Sequence, residues 1–302
     1  MRHLTTLRFI DKVAKVRSIR KAAELLAITP SALNRRILLI EEEIGAPIFE
    51  RMPRGVRLNT AGEIFIRHIR DQLSDFERVQ SQISDLKGFR RGHITIACPQ
   101  PLLRFFLPFE IEKYRSEHQA VTFDVLVRNG FEAEKALEDH SADIAILAEA
   151  PVLACFETIL EFDQSIYGIL PIGHRLLDAK VLRPQECFQY PLALPREPST
   201  LRFMLERCAL KNDCTLNPMV ESDSFEFLLN FVREGRLLSF YIPIGLPRGE
   251  DLQGVVTRPL HGSNLEPLKL YLGQLSKRSL PIASIRFVEQ ITNAINKAYR
   301  KA

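Results

Sequence analysis

The sequence predicts an α/β protein in three parts: a helical N-terminal region ending in a short β-hairpin, one long helix, and a larger region of alternating strands and helices in two lobes. Three observations predict this order. Two short helices joined by a tight turn fit residues 18–43, no proline occurs over 60–87, and apolar spacing changes from helical to strand-like after residue 92. A chain of 302 residues is long enough for all three parts.

Residues 18–43 predict a helix-turn-helix. A first helix and the turn behind it are expected to bury four small or apolar residues: Ala22, Ala23, Leu26 and Ile28. Thr29 is a suitable N-cap, and Pro30 fits the first position of a second helix because the N–H there has no helical partner. The inner face of that helix is expected at intervals of four, three and four: Leu33, Ile37, Ile40 and Ile44.

Residues 49–58 predict a β-hairpin beside these helices. Pro53 and Gly55 flank Arg54 between two short runs that can pair as strands, which makes the hairpin a candidate wing. An arginine at such a tip contacts either a phosphate or the DNA minor groove, where narrow A·T-rich tracts concentrate negative potential. The sequence leaves both contacts open for Arg54.

Basic charge is concentrated at the N-terminus. Residues 1–60 contain 12 lysine and arginine residues against six aspartate and glutamate residues, whereas residues 61–302 contain 29 against 31. A basic surface that is merely solvated would show the same asymmetry. Its coincidence with a helix-turn-helix favours a surface that binds phosphates.

The N-terminal region resembles the LysR-type transcriptional regulators. The resemblance rests on a joint pattern at fixed spacing: Leu7-Arg8-Phe9-Ile10, Ser18, Ala22-Ala23-Glu24, Ser31-Ala32-Leu33, Ile37, Glu41, Glu43-Ile44-Gly45, Ile48-Phe49-Glu50-Arg51 and residues 54–62. Arg17 departs from the glycine that the family usually has at a turn, and Asn34 departs from a serine at a position that can touch a base. The resemblance implies an N-terminal winged helix-turn-helix, a long linker helix and a C-terminal two-lobed α/β sensor of the periplasmic-binding-protein type.

Two sets of residues are expected to contact double-stranded promoter DNA. From the start of the second helix, base edges are approached by Pro30, Ser31, Asn34 and Arg35. Phosphates or the minor groove are contacted by Thr29, Arg36, Arg51 and Arg54.

The third feature is a long amphipathic helix. Through residues 60–87, apolar residues recur at intervals of three and four in a near-heptad seam: Ala61, Phe65, Ile69, Leu73, Phe76, Val79, Ile83 and Leu86. Packing on the helix-turn-helix alone would use only the first turns, so we infer a homodimer formed through this helix. The resemblance implies the same contact and a dimer of dimers. Gly88 is expected to end the helix, and residues 89–92 to form a linker.

After the linker, alternating elements predict a sheet with helices on its faces. Strands are expected over 93–97, 121–127, 143–147, 166–170 and 268–272, and helices over 101–118, 131–139, 199–208, 224–234 and 281–299. The expected domains are a DNA-binding domain at 1–60, a linker helix at 61–87 and an effector domain at 88–302. Its first lobe spans about 92–162 and 266–302, and its second about 163–265.

The resemblance implies a small-molecule effector between the lobes, and the residues suggest which groups would hold it. Helix N-termini favour an anion, and two are expected near Pro99, Gln100 and Pro101 and near Ser199 and Thr200. Arg128 and Asn129 follow the second strand and can add a charge-assisted contact. Ordinary helix capping or solvation remains open for each of these residues. Arg236 stands where the family has a small residue, which leaves the pocket of the second lobe undefined in detail.

The cysteines leave a second function open. Five are present, at 98, 155, 187, 208 and 214, with no CxxC and no metal-ligand spacing. Free thiols are the expectation in a reducing cytosol. A redox-responsive regulator that uses Cys208 and Cys214 is the alternative, because a peroxide-sensing branch of the family uses a cysteine pair in this region.

Other classes of function find less support. The sequence contains no GxGxxG, P-loop, HExxH or GxSxG motif, and its seven histidines are scattered, so we expect no enzyme, cofactor or metal. It contains no run of about 20 apolar residues and no signal-peptide pattern, which predicts a cytoplasmic protein with no membrane partner. A cytosolic solute-binding protein and an architectural DNA binder are the remaining alternatives. The sequence therefore predicts an effector-responsive, sequence-specific transcriptional regulator.

Overall fold

The computed structural model describes residues 2–86, 92–235, 237–246, 254–262 and 264–299. The chain divides into two compact units, one of residues 1–89 with 278–282 and one of residues 90–277 with 283–302. The expected helix end at Gly88, the linker residues 89–91 and Arg236 lie outside the described residues. Among the helices described, none is long and apolar enough to span a membrane.

The described residues of the first unit form four helices and a hairpin, in the order α1 (Arg2–Val16), α2 (Ile19–Leu25), α3 (Pro30–Ile44), β1 (Phe49–Met52), β2 (Gly55–Leu58) and α4 (Thr60–Leu86). The Ser18 hydroxyl caps α2 by accepting from the N–H of Lys21, and the Thr29 hydroxyl caps α3 by accepting from the N–H of Ala32. Gly45 ends α3 in the left-handed conformation. The helix-turn-helix and the N-cap at Thr29 are confirmed.

The core of this unit lies between α1, the helix-turn-helix and the start of α4. Leu33, Ile37 and Ile40 are buried there, as expected. The expectation for Ile44 is wrong, since 42% of this residue is exposed. Ile44 is the last residue of α3, and the chain turns away at Gly45 before another element can cover it.

The wing is held against the turn between α1 and α2. The N–H of Val56 donates to the carbonyl oxygen of Arg17 over 3.0 Å. A Cβ on Gly55, whose φ is +126°, would lie 2.2 Å from that oxygen. Arg17 itself has a φ of 57°, the left-handed region that favours glycine. Arg17 therefore adopts the backbone conformation of the glycine that the family usually has at this turn.

Helix α4 is one continuous element, as the absence of proline predicts, but its buried face differs from the expected seam. Ile66, which falls outside that seam, is buried together with Ile69. Beyond the first turns the helix carries exposed apolar side chains, with 41% of Val79 and 48% of Ile83 accessible within the single chain. An ion pair over 3.0 Å between Arg70 and the mostly buried Asp11 also fixes α4 to α1.

The second unit contains these elements in chain order: β3 (Gly92–Cys98), α5 (Phe106–Glu117), β4 (Val121–Val127), α6 (Gly130–Glu138), β5 (Ile144–Leu147), β6 (Phe156–Gln164), β7 (Tyr167–Pro171), α7 (Pro184–Cys187), β8 (Leu192–Pro195), α8 (Thr200–Lys211), β9 (Pro218–Ser222), α9 (Phe225–Glu234), β10 (Ser239–Tyr241), β11 (Val255–Pro259), β12 (Leu268–Leu275) and α10 (Ile282–Tyr299). Short 3₁₀ helices occur at Gln100–Leu103, Arg175–Asp178 and Pro243–Gly245.

These strands form two lobes. The first lobe holds a five-stranded sheet in the order β4-β3-β5-β12-β6, with β3 parallel to β4 and β5, and β12 antiparallel to its neighbours. In the second lobe, β7 pairs antiparallel with β10 and β11, while β8 and β9 pair in parallel. The chain crosses from β6 to β7 and returns from β11 to β12. The two-lobed α/β fold with an N-terminal winged helix-turn-helix is therefore confirmed.

One predicted helix is shorter than expected. Residues 101–118 do not form a single helix, because a 3₁₀ turn ends at Leu103 and α5 begins at Phe106. Pro108 accounts for the break, since its ring would clash with the carbonyl of Arg104 in a continuous helix but is tolerated in a first turn. Strands β6 and β8 to β11 were missed, since four of them have only three to five residues.

Candidate functional site

The first candidate surface surrounds the start of α3 and the wing. Seven of the eight residues expected to contact DNA are exposed, and Asn34 is partly exposed. Thr29 caps α3, five further residues lie within its first two turns, Arg51 lies on β1, and Arg54 lies in the turn between β1 and β2. All eight residues expected to contact DNA therefore lie on α3, at its N-cap or on the hairpin that follows it, within one unit.

A groove of about 780 Å³ runs between the starts of α1 and α3. Its lining includes Thr5, Thr6, Ser31, Arg35 and Arg36. The Arg36 guanidinium stacks 5.0 Å from the centre of the Phe9 ring, which restricts its reach more than that of Arg35. A groove lined by three hydroxyl groups and two arginines can accept a phosphate backbone.

Contacts within the unit hold the wing in place beside α3. The carboxylate of Glu41 accepts hydrogen bonds from the N–H groups of Ile48 and Phe49 over 2.7 and 3.3 Å. A cross-strand ion pair of 2.9 Å joins Arg57 to Glu50. Glu41, near the acidic end of α3, therefore has a structural role.

The second candidate site is a cavity of about 320 Å³ between the lobes of the second unit. Six of the seven residues expected to hold an effector line it: Pro99, Gln100, Pro101, Asn129, Ser199 and Thr200. Arg128 does not line it. Arg128 is exposed, and its guanidinium donates to the neighbouring carbonyl oxygen of Val127 over 2.8 Å.

Three charged residues at this cavity were missed by the sequence reasoning: Glu149, Arg196 and Asp223. Arg196 directly follows β8, Asp223 directly follows β9, and Glu149 comes two residues after β5. Each of these strands has a parallel neighbour, and the carboxyl ends of parallel strands are where α/β sheets bind ligands. Position after a strand was a signal available for Glu149, because the strand over 143–147 was predicted, but not for Arg196 and Asp223, because β8 and β9 were missed.

Hydrogen bonds join the lobes around the cavity. The amide oxygen of Gln100 accepts from the N–H of Phe225 at the start of α9 over 2.6 Å. The Thr200 hydroxyl donates to the carboxylate of Glu149 over 2.9 Å. The buried Gln164, at one crossover, accepts from the N–H of Ile244 over 2.9 Å. The lobes are therefore held by a few polar contacts that a ligand could exchange.

Burial disfavours the thiolate of two cysteines in the second unit, Cys98 and Cys208. Burial raises the pKa of the Cys98 thiol, which directly precedes the cavity residue Pro99, to about 12. Burial also raises the pKa of Cys208 above its ordinary value, an effect that the hydrogen bond from Asn212 opposes. None of the five cysteines forms a disulfide, and no cluster of metal-ligating side chains occurs in the part of the chain that the structure describes.

Comparison with known proteins decides the family. Residues 4–63 match the family model described as "Bacterial regulatory helix-turn-helix protein, lysR family", and residues 87–296 match "LysR substrate binding domain". The chain belongs to the LysR family. This LysR-family regulator is thus a DNA-binding transcriptional regulator, of a family that binds small-molecule effectors and forms oligomers.

Individual relatives are distant. The LysR chain is 30% identical over 185 residues to the transcriptional dual regulator GltC of Bacillus subtilis, covering 59% of this chain and 60% of the relative. It is 22% identical to a probable nitrogen assimilation transcriptional activator of Synechococcus elongatus, covering 82% of this chain and 81% of the relative.

Solved structures share the fold along nearly the whole LysR chain. A full-length OxyR variant from Pseudomonas aeruginosa has a TM-score of 0.72 at 19% identity, covering 97% of this chain and 94% of that one. Full-length CbnR in complex with its target DNA has a TM-score of 0.53 at 16% identity, covering 96% and 99%. The family-model matches to residues 4–63 and 87–296, rather than these structures, favour a regulator over a solute-binding protein or an architectural DNA binder.

Proposed function

We propose that this regulator reads its operator with the start of α3 and positions itself with the wing. Base edges are contacted by Pro30, Ser31, Asn34 and Arg35. Phosphates or the minor groove are contacted by Thr29, Arg36, Arg51 and Arg54. The observation that carries this proposal is the exposed, N-capped start of α3, where Arg35 lines an open groove. Among the described residues, no aromatic ring stacks on Arg35 as the Phe9 ring stacks on Arg36.

Thr29 has a double role in this proposal. Its hydroxyl already accepts from the N–H of Ala32 and lies 3.1 Å from the hydroxyl of Ser31. It therefore shapes the helix start as well as facing the DNA. Its removal is expected to act through the cap, which is worth about 0.5–2 kcal/mol.

The test separates base contacts from phosphate contacts. An operator is first selected by the purified protein from a random double-stranded DNA pool. Arg35→Ala should then weaken operator binding by about 1–3 kcal/mol and relax the base preference at one position. Arg54→Ala should weaken binding nearly equally for all sequences and lower the salt dependence by about one phosphate contact.

Arg286→Ala is the matched control, because Arg286 is exposed on α10 in the other unit and carries the same charge. It should leave affinity and base preference unchanged. An unaltered base preference in Arg35→Ala would remove this residue from base readout.

We also propose domain boundaries and an assembly. Residues 1–60 bind DNA, residues 61–87 form the linker helix, and residues 88–302 bind the effector. The exposed apolar residues of α4, which include Ile64, Val79 and Ile83, support dimerisation through this helix. A dimer would read half-sites about one helical turn apart, and pairs of dimers could bend the DNA between them.

The cavity between the lobes is proposed to hold an effector with an anionic group. Its volume of about 320 Å³ suits a small metabolite. Arg196 and the Ser199-capped start of α8 both favour negative charge. Because the family consists of transcriptional regulators, we propose that the protein catalyses no reaction and acts in the cytoplasm, where its DNA lies.

A further inference from the structure

The cavity between the lobes carries more negative than positive charge. The described residues that line it include two carboxylates, those of Glu149 and Asp223, and one guanidinium, that of Arg196. An effector that is only anionic would meet repulsion from two carboxylates and attraction from one arginine. The charge of the lining therefore calls for a ligand that carries both signs.

The carboxylate of Glu149, which belongs to the first lobe, is hydrogen-bonded to the second lobe. One oxygen accepts from the Thr200 hydroxyl at the start of α8. The other lies close to Gly130 at the start of α6, where an added Cβ would come within 2.7 Å of it. Glu149 therefore points into the space between two helix starts, and its remaining lone pairs are free to accept from a ligand.

Asp223 and Arg196 are charges without an internal partner. Within the described residues, neither side chain makes a hydrogen bond or an ion pair. They extend from the ends of the paired strands β9 and β8, so both belong to the second lobe. A ligand at this edge can meet Arg196 with one group and Asp223 with another.

We propose that the effector is a zwitterion of the amino-acid class, with a carboxylate held by Arg196 and a protonated amine held by Glu149 and Asp223. An ammonium group has three donors, which suits two carboxylates from opposite lobes. This inference rests on the proposed function of the cavity, which assigns the effector an anionic group, and adds a positively charged amine to that effector. By binding Glu149 and Asp223 together, the amine would join the first lobe to the second and favour the closed cleft.

The test compares ligands that differ by one charged group. The full-length protein is titrated by calorimetry with the twenty common L-amino acids. It is titrated in parallel with the matching 2-hydroxy acids, which lack the ammonium group, and with the matching decarboxylated amines, which lack the carboxylate. Both analogues should bind at least about tenfold more weakly, which corresponds to roughly 1.4 kcal/mol.

Variants assign each charge to its side chain. Glu149→Gln and Asp223→Asn should each weaken the amino acid about tenfold or more, yet change the affinity for the 2-hydroxy acid little or raise it. Arg196→Gln should instead abolish the advantage of the amino acid over the amine. Glu132→Gln is the control, since Glu132 is an exposed carboxylate on α6 that does not line the cavity. Circular dichroism spectra matching that of the unmodified protein show that each variant is folded.

The outcomes separate this inference from the function on which it rests. If 2-hydroxy acids bind as tightly as the amino acids, or only carboxylic acids without an amine bind and alter operator affinity, the zwitterion is refuted and the effector cavity stands. If neither amino acids nor the acids bind, both proposals fail.

Discussion

Replacing Gly55 with alanine should detach the wing from the helix-turn-helix. The added Cβ would lie 2.2 Å from the carbonyl oxygen of Arg17, well inside van der Waals contact. The hairpin must then move by roughly 1 Å to relieve the clash. That movement breaks the 3.0 Å hydrogen bond from the N–H of Val56 to the same oxygen.

The expected cost is the sum of two effects. A non-glycine residue held at a φ of +126° costs about 1–3 kcal/mol of backbone strain. The lost hydrogen bond adds about 1 kcal/mol. Gly55→Ala should therefore lower the free energy of unfolding by about 2–4 kcal/mol, less the small gain from a stiffer unfolded chain.

Gly45→Ala provides a matched control within the same unit. Gly45 also has a positive φ, +76°, but an added Cβ there meets no atom within 4 Å. Its cost is the left-handed conformation alone, about 1–2 kcal/mol. The gain through the unfolded chain is the same in both variants and cancels in the comparison.

The two variants are compared by urea unfolding of the full-length protein and by titration with the selected operator. Gly55→Ala should be less stable than Gly45→Ala by about 1–2 kcal/mol. It should also bind the operator about tenfold more weakly, because Arg54 moves with the wing. Equal stabilities, or an unchanged operator affinity in Gly55→Ala, would refute the idea that this close approach positions the wing.

Two further predictions concern the second unit. Glu134 is 1% exposed, and its carboxylate accepts hydrogen bonds from the N–H groups of Val152 and Leu153. In a thermal melt, Glu134→Gln should therefore lower the free energy of unfolding by about 3 kcal/mol. The control Glu132→Gln, at an exposed position, should change it by no more than about 0.5 kcal/mol. Burial raises the pKa of Cys208 and disfavours its thiolate, so this cysteine is not expected to react with peroxide. The double variant Cys208→Ser, Cys214→Ser should therefore bind the operator with the same dependence on peroxide as the unmodified protein. Loss of that dependence in the variant would support a redox-responsive regulator instead.

Local signals explain why the DNA-binding unit was predictable. Thr29 and Pro30 specify where α3 begins, and the structure uses both as cap and first residue. Pro53 and Gly55 specify the turn of the hairpin in the same way. The burial of Ile44 was mispredicted, because a helical period continues past the point where neighbouring elements stop.

Tertiary contacts explain what was missed at the cavity. Glu149, Arg196 and Asp223 are far apart in sequence and follow strands of only four or five residues. The short strands before Arg196 and Asp223 were missed, and Glu149 lies two residues beyond a strand that was predicted, so the position that the three residues share appears only once the strands pair. Arg128 shows that position after a strand is not sufficient, since its guanidinium donates to the neighbouring carbonyl oxygen of Val127 and does not line the cavity.

The most direct test of the account is genome-wide mapping of the DNA sites bound by the purified protein, at about 0.15 M salt, with and without a pool of amino acids. We predict a small set of dyad-symmetric sites beside promoters, with an occupancy that the amino acids change. Diffuse occupancy without a common motif, unaffected by the pool, would contradict an effector-responsive regulator that reads its operator through α3.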